Sequence, residues 1–144
     1  MPENATAPIR FDTKVAVVLR DDLQPWQELN VTAFLMSGIA TSDPELVVEP
    51  YRDADGNRYL PMLRQPVIVL TAPAALLASA RAKAIDRGVP IALYTSELFA
   101  SGHDVANRAA VAAVGADDLD LVGIAVHGPR NAVDRMLKGA RMHD

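Results

Sequence analysis

The residues of this chain that could do chemistry fall into three groups far apart in sequence. The first is Trp26, the single tryptophan, with Asn30 one helical turn later. An indole offers a face for a ring or base, and a carboxamide both donates and accepts hydrogen bonds. The second group runs Tyr94-Thr95-Ser96-Glu97, with His103 and Asp104 a few residues beyond. Glu97 and His103 are of the types that take and return protons, so they are the candidate catalytic pair. Thr95 and Ser96 lack the Gly-x-Ser-x-Gly turn of esterases and read as helix caps before they read as nucleophiles. The third group is His127-Gly128-Pro129-Arg130-Asn131. A Gly-Pro break between strand and helix leaves backbone N–H groups without intrahelical partners, a natural place for an anion or carbonyl. The helix macrodipole opposes an arginine there unless an anion lies nearby, so Arg130 is the leading candidate for holding one.

If the three groups share a rim, they compose one site. Trp26 stacks, Asn30, Tyr94, Thr95, Ser96, His127, Gly128 and Asn131 line it, Arg130 holds charge, and Glu97 or His103 serves as base. The plain alternatives are packing for Trp26, a turn and helix cap for His103 and Asp104, a backbone hydrogen bond for His127, and a surface ion pair for Arg130. No cysteine is present, and His103, His127 and His143 have no metal-site spacing, so neither metal nor cofactor is expected. The run Asp53-Ala-Asp-Gly-Asn57 starts like a calcium loop, but Arg58 and Arg64 stand where a glycine and a bidentate glutamate belong.

Positioning such groups is the task of alternating strands and helices. Lys14–Arg20, Gln65–Thr71, Pro90–Thr95 and Leu121–Val126 are short apolar runs, as expected of strands buried on both faces. Helices are predicted from Pro25, with Leu29, Ala33, Met36 and Ala40 as a stripe; from Pro73 to Gly88; from Val105 to about Val114, capped by Asp104; and after Pro129, through Arg141. Leu46–Tyr51 and Asn57–Met62 flank a glycine turn and predict a β-hairpin. The pattern favours an α/β fold with helices on both faces of a mostly parallel or mixed sheet plus an added hairpin. The expected layout is a loose tail over residues 1–12 and one domain over 13–144.

The chain has 144 residues, half of them apolar, and a formal net charge of -4. That length allows one domain with a real core. The acidic balance argues against a broad phosphate-binding surface. No apolar run reaches the roughly 20 residues that span a bilayer, and no signal peptide is visible, so no membrane and a cytoplasmic setting are expected.

The ordered set of motifs resembles a known family. Lys14-Val-Ala-Val-Val-Leu-Arg-Asp-Asp-Leu23, Gly88-Val-Pro-Ile-Ala-Leu93, Gly128-Pro129, Val133-Asp134-Arg135 and Arg141-Met142 are similar to stretches of type II peptidyl-tRNA hydrolases. A closer resemblance is to a sister group, an uncharacterised bacterial family known only as a domain of unknown function. Its pattern is carried by Asp53 through Pro66, Tyr94-Thr95, Gly102-His103-Asp104, Asn107-Arg108 and Gly128 through Asp134. The resemblance implies a three-layer α/β/α fold with a mixed, about four-stranded sheet, a homodimer, and a small-molecule or RNA-end ligand. It does not carry over the hydrolase site. The lysine-bearing turn of that family is Gln24-Pro-Trp-Gln-Glu-Leu-Asn30 here, its helix glutamine falls at Ala33 or Phe34, and its aspartate falls at Ser96 or Glu97. The function expected is binding, with hydrolysis as an option, of a nucleotide-like or acyl-adenylate-like ligand. A peptidyl-tRNA hydrolase with a rebuilt site and a non-catalytic dimeric regulator are the alternatives.

Overall fold

A computed structural model describes residues 9–144; the part of the expected tail over residues 1–8 lies outside them. The elements run β1 (Thr13–Arg20), α1 (Pro25–Ala40), β2 (Tyr51–Arg52), β3 (Arg58–Tyr59), β4 (Val67–Ala72), α2 (Ala74–Arg87), β5 (Ile91–Thr95), α3 (Leu98–Ser101), α4 (Asp104–Ala112), β6 (Leu121–Pro129), α5 (Arg130–Met136) and β7 (Arg141–Met142). Five strands form one mixed sheet in the order β5-β6-β1-β4-β7, and β2 pairs with β3 as a separate hairpin. The fifth strand is β7, which lies antiparallel on β4 where the closing helix was expected to continue. The helix ends at Met136, and Gly139, at φ 99, lets the chain turn back.

Alternation along β1 sets the layers. Val15, Val17 and Leu19 pack with Val31, Leu35 and Ile39 of α1, whereas Ala16 and Val18 pack with Leu77, Ala80 and Ala84 of α2 and Val133 and Met136 of α5. Helices therefore cover both faces, and β1 and β6 lie inside the sheet, β1 buried from Val15 to Leu19 and β6 from Leu121 to Gly128. Among the described residues no helix is long and apolar enough to cross a membrane.

The stripe that α1 buries differs from the expected one. Leu29 is 74 % exposed, and Val31, Leu35 and Ile39 face the sheet instead. Apolar residues surround this helix, so periodicity alone offers several faces; Gly123 of β6 selects among them. A Cβ there would stand 2.6 Å from Val31 Cγ1, so the missing side chain lets the Val31–Leu35 face come down on the sheet.

Candidate functional site

The C-terminal half of β5 and one face of α1 enclose a cavity of about 690 Å³, closed on the third side by α3 and the start of α4. Its apolar wall is Trp26, Phe34, Tyr94 and Phe99. Their rings meet at angles: Trp26 edge-on to Phe99 at 5.6 Å, Tyr94 tilted on Phe99 at 5.2 Å, and Phe34 tilted on Tyr94 at 5.8 Å. Such tilted contacts suit the ring quadrupoles. Tyr94 is buried, yet Trp26 and Phe34 remain 56 % and 52 % exposed.

The polar part of the cavity is largely fixed by the protein's own hydrogen bonds. Asn30 Nδ2 donates to the Tyr94 hydroxyl at 3.2 Å. Burial pushes the Tyr94 hydroxyl above its ordinary pKa, and the Asn30 bond works in the opposite direction. His103 occupies the N-cap of α4, where its Nδ1 accepts the Ala106 N–H at 3.2 Å. The cap was expected at Asp104. The imidazole takes that role because Asp104 lies one position inside the helix, where its carboxylate accepts from Arg108 Nε at 2.8 Å. Asn107 lines the same wall, its Oδ1 accepting from the Ser101 hydroxyl. Among the described residues no lysine or arginine lines the cavity, and Asp104 is the one carboxylate.

Thr95, Ser96 and Glu97 leave β5 on another side and line no part of this cavity. The Thr95 hydroxyl is buried without a hydrogen-bond partner. Ser96 donates to Asp120, which also accepts from Arg20 at 2.8 Å, and Arg20 reaches Asp22 at 2.7 Å. The serine and then the arginine hold the Asp120 carboxyl below its usual range. Neither Thr95 nor Ser96 gives α3 a side-chain cap. Glu97 is exposed and accepts only a long bond, 3.4 Å, from Ser96.

The third group lies at the other end of the sheet, which corrects the expectation of one shared rim. β6 is antiparallel to both β1 and β5, so it ends where they begin: Tyr94 pairs with Gly123, whereas Pro129 pairs with Thr13. The six residue steps from Gly123 to Pro129 span about 20 Å. His127 is buried beside Thr13, its Nε2 3.0 Å from the threonine hydroxyl. The strand continues through Gly128 to Pro129, so Gly128 packs on Val89 rather than turning the chain. Arg130 lends its backbone N–H to the Asp12 carbonyl at 3.1 Å and its guanidinium to the Phe11 carbonyl at 3.4 Å. The Asn131 carbonyl accepts from Arg135 within the helix at 3.2 Å. The first N–H expected to bind an anion therefore already has a backbone partner.

Comparison with known proteins places this geometry in a family. Residues 13–144 match the family described as Protein of unknown function (DUF2000). The chain belongs to that family. It is also similar to a solved structure of a protein of unknown function from Agrobacterium tumefaciens strain C58, at 45% identity and a TM-score of 0.89, with 94% of this chain and 100% of that one covered. A search of curated proteins gave no match. These likenesses support the α/β fold and the unknown-function family; neither names a peptidyl-tRNA hydrolase.

In this DUF2000 chain, the structure brings Trp26, Asn30, Tyr94 and His103 together and leaves Thr95, Ser96, Glu97, His127, Gly128, Arg130 and Asn131 outside the cavity. The sequence reading missed Phe34, Phe99 and Asn107 as site residues. Spacing held part of the signal, because Trp26, Asn30, Phe34 and Ser37 recur at helical intervals on a face separate from Val31, Leu35 and Ile39.

Proposed function

We propose that this protein binds a small ring-bearing molecule in the aromatic cavity. The observation that carries the reading is a cavity of about 690 Å³ whose wall leaves Trp26 and Phe34 half open to solvent. A concave site that sets a few polar groups among aromatic side chains is a usual form of a small-molecule site. Contact between a bound ring and one aromatic side chain contributes about 1–3 kcal/mol. The absence of lysine and arginine from the lining favours an uncharged ring over the phosphate-bearing end of a nucleotide. It also weakens the case for peptidyl-tRNA hydrolysis, which needs a cationic path for the RNA backbone. If the cavity does chemistry, His103 is the proton donor placed for it, through Nε2 while Nδ1 caps its own helix, and Glu97 is not.

Thermal-shift screening with uncharged aromatic compounds tests this reading. Hits should raise the Tm of the native protein, and Phe99→Ala should reduce the shift while Arg130→Ala leaves it unchanged. A shift that depends on Arg130 and ignores Phe99 would move the ligand out of the cavity.

Self-association belongs to the same proposal. Tyr51 and Tyr59 face each other across the hairpin and are exposed with Leu60, an apolar group that a second copy would cover. Sedimentation should give a dimer mass that falls to monomer in Tyr59→Ser/Leu60→Ser; a monomeric native protein would remove the idea.

A further inference from the structure

The hydrogen bonds around the cavity leave a definite set of free polar atoms. Each carboxamide uses one end on the protein and has one end spare. Asn30 spends an amide hydrogen on Tyr94, which leaves its Oδ1 as an acceptor. Ser101 has one hydroxyl hydrogen and two acceptors in reach, the Leu98 carbonyl at 3.1 Å and Asn107 Oδ1; with that hydrogen on Asn107, the Asn107 amide hydrogens stay free as donors. His103 spends Nδ1 as an acceptor on its own helix, so the neutral ring carries its proton on Nε2 and donates from there. The cavity thus offers donors from His103 and Asn107 and acceptors from Asn30 and the Asp104 carboxylate, between aromatic walls and, among the described residues, without a lysine or arginine.

Building on the small-ring reading above, we propose that the cavity selects a neutral nitrogen heterocycle of the nucleobase class, unphosphorylated. Its acceptor atoms turn toward His103 and Asn107, and an N–H turns toward Asn30. Burying a polar heterocycle without partners is costly, so pairing each edge atom with one of these groups is what separates it from a hydrocarbon ring of the same size. Among the described residues a phosphate has no lysine or arginine in the lining to pair with and would have to stay in solvent.

Because Trp26 is the single tryptophan, its fluorescence reports the site directly. The native chain is titrated with adenine, uracil, indole, adenosine and adenosine 5′-monophosphate. Saturable quenching by adenine or uracil at least tenfold tighter than by indole is expected, with the monophosphate no tighter than adenosine. Asn107→Asp keeps the oxygen that accepts from Ser101 and replaces only the cavity donor, so it should retain the native Tm and weaken the heterocycle at least tenfold. Asn107→Ser is the second variant, and partial recovery by it supports the donor role.

Equal binding of adenine and indole, or an Asn107→Asp protein that binds both as before, overturns the selectivity while the ring-binding reading stands. Tighter binding of the monophosphate overturns the unphosphorylated assignment. No quenching by any ring, with Trp26 still open to a small collisional quencher, overturns both.

Discussion

Asn30 and Tyr94 are 64 residues apart in sequence and joined by one hydrogen bond, 3.2 Å from amide nitrogen to phenol oxygen. The bond ties the first helix to the edge strand β5 and fixes both side chains on the cavity wall. Replacing Asn30 by Ala should lower stability by about 0.5–1.5 kcal/mol, the usual net value of such a bond. Without the amide, the Tyr94 pKa should rise further, because burial pushes it up and Asn30 opposes that shift. Phenolate absorbance during alkaline titration checks the direction. In a Tyr94→Phe background the Asn30 change should cost little more, since the bond is already gone.

Gly123 controls how closely α1 sits on the sheet. Gly123→Ala places a methyl carbon 2.6 Å from Val31 Cγ1 and 3.2 Å from Leu35 Cδ1. Valine is stiff about χ1, so the helix rather than the side chain has to move. The expected loss is about 1–3 kcal/mol, read from denaturant midpoints, in line with overpacked cores. Val31→Ala added to it should recover part of that loss; a double variant weaker than the sum of the singles would refute the contact.

The four longer strands were legible because each is a short apolar run bounded by turn residues, and the structure puts them within two residues of those runs except at the end of β6, which runs three residues further to Pro129. β7 was not, since a two-residue edge strand has no period to read. Strand direction decided the fate of the proposed site. Periodicity identifies Leu121–Val126 as a strand but is silent on its polarity, and the antiparallel placement of β6 sends Arg130 away from Trp26. Trp26, Asn30, Tyr94 and His103 could be picked by residue type, whereas Phe34 and Phe99 resembled ordinary core residues until the helix face was known.

The hairpin tip depends on a single carboxylate. Asp53 accepts from the backbone N–H groups of Asp55 and Asn57, from the Asn57 amide, and from the Tyr59 hydroxyl at 2.7 Å. These donors, led by Tyr59, pull its pKa from 3.8 to about 2. A lowered value means the tip is fully supported above 3.8 and loses support as pH falls toward 2. Tyr59 is held above its ordinary pKa by the same bond. Asp53→Ala should therefore let Tyr59 ionise at lower pH and sharpen the amide exchange of Gly56, with little change in global Tm. An unchanged Tyr59 titration would show that the bond does not persist in solution.

At the C-terminus, His143 holds β7 in place through two contacts. Its backbone N–H donates to the Val69 carbonyl at 3.1 Å, and its Nε2 pairs with Glu28 of α1. The Asp144 carbonyl, followed by Glu28, raises the imidazole above its ordinary 6.5. For a raised pKa the linkage runs opposite to that at Asp53: the contribution is fully present below 6.5 and disappears as pH rises through the folded-state value. The Tm difference between the native chain and Glu28→Gln should thus be largest on the acid side of 6.5 and close in mild alkali. The pair is near the surface, so the difference should also shrink as salt is added. A gap that stays constant across this range, or widens with pH, would mean that Glu28 supports β7 by packing and that the charge on His143 has no part in it.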